Sequence, residues 1–169
     1  MGDNMVALKI EDLKPFTSKL FVGDMFDDWL MREASIVTYN TFTMDGRVRQ
    51  GYYSDEELEL KKIEEFSSWK TIKPFCFSLI KGKKLPESFH ITLQLAPGAV
   101  EEFVKRTGVD VRADQIGGLY LNIRYENGVL HCVSGTSLKI FTLDRQVDLE
   151  WDAAVQEFMK QQQMPYIVG

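Results

Sequence analysis

The spacing of apolar residues changes period several times along the chain. Residues 5–10 alternate weakly and read as a short strand. Leu13, Phe16 and Leu20 then recur at intervals of three and four, which predicts a helix over residues 11–22. Pro15 falls in its tolerant first turn, and Gly23 supplies a stop. Residues 25–33 predict a short helical turn. Residues 34–44 are rich in β-branched and aromatic side chains and predict a strand, with Asp45-Gly46 as a two-residue hairpin turn and residues 47–53 returning. An acidic helix opens at Ser54, whose capping partner is Glu57 three positions on. A second helix runs from a cap at Ser67 or Ser68 to about Lys81 and ends at Gly82.

The pattern then begins again. Residues 88–96 read as a strand, Pro97 opens a helix to Arg106, and Gly108 stops it. Residues 119–125 and 129–133 flank Asn127-Gly128, the strongest short hairpin signal, and residues 138–143 predict a further strand. The last helix spans residues 148–162, with Trp151, Ala154, Val155 and Phe158 on one face, and Pro165 closes it. The halves echo each other locally as well. Val6-Ala7-Leu8-Lys9-Ile10 answers Ile91-Thr92-Leu93-Gln94-Leu95, Asp45-Gly46 answers Asn127-Gly128, and Ser68-Trp69 answers Glu150-Trp151. The expected architecture is one α+β domain over residues 5–169, an antiparallel sheet with about four packed helices. It consists of two β-α-β-β-(β)-α pseudo-repeats, about 5–86 and 88–165, consistent with duplication of a smaller unit. Residues 1–4 are polar, and Met5 offers an alternative start.

Two resemblances follow. The runs Glu33-Ala34-Ser35-Ile36, Phe77-Ser78-Leu79-Ile80-Lys81-Gly82-Lys83 and Gly135-Thr136-Ser137-Leu138-Lys139-Ile140-Phe141-Thr142 resemble an uncharacterised bacterial family across nearly the whole chain from Met5. That likeness implies no activity and no site residues. The order of elements in each half, best seen from Phe89 to Pro165, is similar to that of a sliding-clamp (DNA clamp) domain of the replication machinery. It departs from that pattern in lacking further strands after the second helix. The chain is also too short for two complete clamp domains, so ring closure around DNA does not follow.

Composition narrows the chemistry. The chain has 169 residues, 44% apolar and 27% charged, with a formal net charge of −5. This suits a folded domain and excludes wholesale disorder. Two cysteines exclude a disulfide framework and a cysteine-based zinc site. Cys76 and Cys132 lie in apolar runs and read as small core residues. The N-terminus lacks the basic and then apolar pattern of a secretory signal. No stretch approaches the roughly 18 apolar residues of a membrane span. These features imply a cytoplasmic protein without membrane association.

Against the acidic total, one segment stands out. Residues 67–86 hold five lysines and no acid: Lys70, Lys73, Lys81, Lys83 and Lys84. On a helix, Ile72, Phe75, Cys76 and Leu79 share one face, while Lys70, Lys73 and Lys81 fall opposite with Phe77 among them. Such a stripe neutralises phosphates and offers a ring for a base to stack on. Arg47 and Arg49 extend the patch if the first hairpin forms. The competing reading is a solvated face compensated by residues 54–65, which carry six acids and two lysines.

Catalytic patterns are sparse. His131 and Cys132 are strand neighbours and point to opposite faces, so they do not meet as base and nucleophile. No Gly-x-Ser-x-Gly elbow, P-loop or dinucleotide fingerprint is present. Asp24, Asp27 and Asp28 lack the glycine and terminal glutamate of a calcium loop, and Asp45 and Asp144 read as turn formers. Residues 161–168 form a tail that packs on its own domain or docks on a partner. The expectation is therefore a non-catalytic binding or assembly module without cofactor or metal. Its partner is a protein or a nucleic acid, held by the lysine-rich segment. The alternatives are a small enzyme with a carboxylate-lined pocket and a structural homo-oligomer paired through sheet edges.

Overall fold

Seven antiparallel strands form one sheet in a computed structural model that describes residues 5–82 and 84–169. In chain order the elements are β1 (Ala7–Ile10), α1 (Leu13–Phe21), β2 (Leu30–Val37), β3 (Thr41–Asp45), α2 (Asp55–Leu60), α3 (Trp69–Ile80), β4 (Ser88–Gln94), α4 (Pro97–Thr107), β5 (Ile116–Glu126), β6 (Val129–Leu138), α5 (Gln146–Gln161) and β7 (Tyr166–Val168). The strand order is β3-β2-β4-β5-β6-β1-β7. The α+β class and the antiparallel sheet agree with the sequence reading. The element order β-α-β-β recurs at β1-α1-β2-β3 and at β4-α4-β5-β6, yet the two units meet the sheet differently. β4 lies between the two hairpins, whereas β1 lies beyond β6 and is flanked by β7.

Alternation decides which side is covered. Phe89, Ile91 and Leu93 of β4, Leu119, Leu121 and Ile123 of β5, and Leu130 and Cys132 of β6 are buried, as are Leu8 and Ile10 of β1. Strand side chains alternate in direction, so all of these point to one face. The helices pack there, α3 on β2 and α5 on β6. Four helices each supply an apolar stripe: Phe16 and Leu20 from α1, Trp69 and Cys76 from α3, Val100 and Phe103 from α4, and Trp151 and Val155 from α5, whereas α2 buries none of its residues. Two indoles satisfy their buried N–H groups on backbone: Trp69 Nε1 donates to the Leu20 carbonyl at 2.8 Å and Trp151 Nε1 to the Tyr120 carbonyl at 2.9 Å. Trp29 completes the aromatic centre, with ring centroids 6.0 Å from Trp151 and 5.4 Å from Phe26 and Phe158.

Several local expectations are corrected. Residues 25–33 are not a helical turn throughout: a turn at residues 24–28 buries Met25 and Phe26, and β2 begins at Leu30. The first hairpin turns at residues 38–40, since Val37 pairs with Thr41, and the Asp45-Gly46 hairpin is absent. Gly46 instead extends the pairing, donating to the Arg32 carbonyl and accepting from the Ser67 N–H, both at 2.9 Å. Its glycine serves close approach rather than a turn, because a Cβ there would sit 1.7 Å from the Met31 carbonyl oxygen. Residues 47–53 form no return strand; Arg47 makes a single bridge to Phe66, and a 3-10 turn follows at Gln50–Tyr52. Asn127-Gly128 does form the expected hairpin turn, at φ 54° and 76°.

The predicted strand at residues 138–143 is absent too. β6 runs on to Leu138, opposite Ile116 at the start of β5, and past that point the neighbouring strand ends. The C-terminal tail supplies the seventh strand, adding β7 to the edge of β1.

Substituting Gly46→Ala is expected to destabilise the protein by about 2–4 kcal/mol, the range for strain forced into a packed backbone. Urea unfolding measures it, and an unchanged midpoint would contradict the close approach of β2 and the residue 46 backbone.

Candidate functional surfaces

The lysine-rich segment lies on α3 and its exit, and the structure divides its members. Ser68 caps the helix, accepting from the Thr71 N–H, and Pro74 is accommodated inside it. Lys70 and Lys81 are exposed, as is Lys84 in the following loop, while Lys83 lies outside the described residues. Lys73 does not join them. Its ammonium is mostly buried and sits 2.5 Å from both the Asp27 carboxylate and the Gly23 carbonyl oxygen. The helical face toward the core is set by Trp69, Ile72 and Cys76, and Lys73 lies one residue round from Ile72. Phe75, expected among the core residues, is instead 61% exposed, and Phe77 is 38% exposed. Arg47 is paired with Glu65 at 2.8 Å and lies 5.0 Å over the Phe66 ring. Arg49 is exposed ahead of the 3-10 turn. Of the acids in residues 54–65, Glu65 thus engages Arg47, while among the described residues the one lysine of α3 in an ion pair, Lys73, takes Asp27.

The second surface is the uncovered side of the sheet. Strand register builds it, and it was not foreseen. Ser35 pairs with His90, His90 with Arg124, Arg124 with His131, and His131 with Lys9. Paired residues point to the same side. Each of the last four has core residues before and after it, so this row faces away from the helices. At about 4.8 Å per strand, the row from His90 to Lys9 spans about 14 Å. Both histidines of the chain stand in it, one on each side of Arg124. Arg124 and Lys9 are exposed and the imidazoles half-buried, with His90 Nε2 3.3 Å from Asn122 Oδ1. Glu33 and Asp45 pair on β2 and β3 and bound the row with negative charge.

The third surface is a cleft of about 510 Å³ between the end of β6, residues 139–145 and the first turns of α5. Asp144, Asp148 and Asp152 line it together with Arg145. Ser134 Oγ donates to Asp152 Oδ1 at 2.5 Å and accepts from the Val6 N–H at 3.0 Å; Thr136 Oγ1 donates to Asp148 Oδ1. Burial pushes the Asp152 carboxyl upward, and the nearby Asp148 charge adds to this, against the opposing bonds from Ser134 and Val6. The helical spacing of Asp148 and Asp152 was legible in the sequence. Their hydroxyl partners were not, since these depend on how α5 lies across β6.

Neither cysteine offers a nucleophile. Burial pushes the Cys76 thiol up to about 12 and the Cys132 thiol higher still. Among the described residues no group of three or more His, Cys, Asp or Glu side chains is placed to hold a metal ion. No helix among them is long and apolar enough to cross a membrane.

Removing Lys73 (Lys73→Met) is expected to cost about 1–3 kcal/mol by stranding the partly buried Asp27, whereas Lys70→Ala and Lys81→Ala stay within about 0.5 kcal/mol. Denaturant midpoints for the three variants check this, and equal losses would refute the division of the lysines. Asp152 carries a pH signature as well. Its folded pKa lies above the unfolded value, so folding takes up a proton and stability falls as pH rises through that interval. Asp152→Asn retains an acceptor for Ser134 and is expected to flatten this fall. Stability curves of the same slope for both proteins would contradict it.

Comparison with the curated proteins and with solved structures finds no match. A family model, described as a family of unknown function, matches residues 19–167. The match runs from the end of α1 into the last strand; it takes in α3 and most of the other two surfaces, but not β1, which carries Lys9. The chain therefore belongs to this family of unknown function, DUF5721.

Proposed function

We propose that the protein is a non-catalytic binding module that takes a polyanion across the open face of its sheet. The observation that carries this reading is the row Lys9, His131, Arg124 and His90, which strand register places side by side. Strand pairing fixes the spacing of these four nitrogen-bearing side chains along one line. Donors so arranged contact a phosphate backbone without reading sequence. The exposed lysines of α3 lie on an element packed against the opposite side of the sheet. They contribute to the local field rather than to the same line of contacts.

The use made of the cleft acids supports the non-catalytic part. Ser134 is fully buried, and its hydroxyl is spent on Asp152 and Val6. Asp148 is likewise held by Thr136. These groups fasten α5 to the strands, and neither histidine lines the cleft to serve as base. A catalytic reading requires a general base free to reach a substrate proton.

Fluorescence anisotropy with a labelled single-stranded oligonucleotide tests the reading. Binding is expected at low ionic strength, and log affinity should fall linearly with log salt. The double variant Lys9→Ala/Arg124→Ala should lose about tenfold in affinity, and its salt slope should shrink by roughly 1–1.5, about 0.7 per lost contact. No anisotropy change for the parent protein at low salt, or equal affinity of the double variant, would refute the proposal.

A further inference from the structure

Two groups of exposed apolar side chains on the helical elements stand beside charges of opposite sign. One lies on α3 and its exit, where Phe77, 38% exposed, falls on the same helix face as Lys70 and Lys81, and Leu85, 78% exposed, follows Lys84. The other borders the α5 cleft, where Phe141 is 89% and Leu143 85% exposed beside Asp144, Asp148 and Asp152. Exposed side chains of this size mark interaction surfaces when they cluster. The first surface is convex, a helix face. The second is concave, a cleft of about 510 Å³.

We propose that copies of this chain associate head to tail, the basic aromatic face of α3 in one copy seating in the acidic apolar cleft of the next. Charge complementarity selects this occupant: a helix face whose exposed charges are lysines meets a cleft whose carboxylates outnumber its one arginine, and each side brings its own apolar anchors. Arg145 also lines the cleft and is already engaged, so the cleft as a whole keeps an acidic excess. The two surfaces of one molecule do not meet. α3 packs on β2 and α5 on β6, and these strands stand three places apart in the sheet, about 14 Å. Pairing unlike surfaces makes the contact heterologous. Every added copy leaves one helix face and one cleft open, so assembly proceeds until it closes on itself or continues as a filament. The open face of the sheet takes no part, and this inference stands apart from the polyanion proposal.

Sedimentation velocity on the full chain without nucleic acid tests it. The mean mass of the parent protein is expected to rise with protein concentration and to fall on adding salt. Lys70→Glu/Lys81→Glu/Lys84→Glu removes the basic helix face, and Phe141→Ser/Leu143→Ser removes the apolar anchors of the cleft. All five side chains are exposed, and circular dichroism verifies that both variants fold. Each variant alone should sediment as a monomer. Mixed in equal amounts they should form a one-to-one dimer and nothing larger, because the intact helix face of one meets the intact cleft of the other. A parent protein monomeric at every concentration, a variant that still associates alone, or a mixture that stays monomeric would each overturn the proposal.

Discussion

The molecule is organised by a sheet that is apolar on one side only. β4, β5 and β6 each bury apolar residues at alternate positions, and the residues between them are mostly polar, small or charged, Val129 and Val133 of β6 excepted. Burying an apolar strand residue contributes about 1.5–3 kcal/mol, so the helices gain by covering one side and gain little on the other. The core lies beneath α1, α3, α4 and α5, and the opposite face is left to solvent. The polar row and its location both follow from this asymmetry.

Polar bonds then fix how the helices lie on that apolar side. Hydrophobic contact is non-directional and would allow α5 to slide along β6. The bonds from Ser134 to Asp152 and from Thr136 to Asp148 join successive turns of α5 to alternate residues of β6, which sets its register. Val6 brings β1 into the same knot through its N–H on Ser134. At the other end of the sheet, the Trp69 indole holds α3 to the last turn of α1, and Lys73 anchors it to the turn that carries Asp27. Desolvation of Asp152 is the cost of the first knot. The removal of Lys73 from the basic face is the consequence of the second.

These constraints bear on what the surface offers. Fastening the helices consumes the hydroxyls and part of the charge of the helical layer. Among what remains exposed there are lysines with a phenylalanine at α3 and aspartates with phenylalanine and leucine at the α5 cleft. The sheet side keeps its charges in a line because adjacent strands are in register. Three surfaces of different character thus arise from one fold: a basic helix face, a row of polar and charged side chains on the sheet, and an acidic cleft.

Periodicity and local start and turn signals determined the α+β class, the main helices with their starts at Ser54, at Ser67 or Ser68 and at Pro97, and the Asn127-Gly128 hairpin. Those features depend on residues close in sequence. Asp45-Gly46 misled because glycine answers two needs, a positive φ and the close approach of another backbone, and a single sequence does not tell them apart. Residues 138–143 misled because a strand lasts only while a neighbour remains to pair with, and β5 has already ended there. The burial of Lys73, the line from His90 to Lys9 and the cleft acids were decided by tertiary structure. Each joins residues far apart in the chain, and only strand order and helix placement say which of them become neighbours.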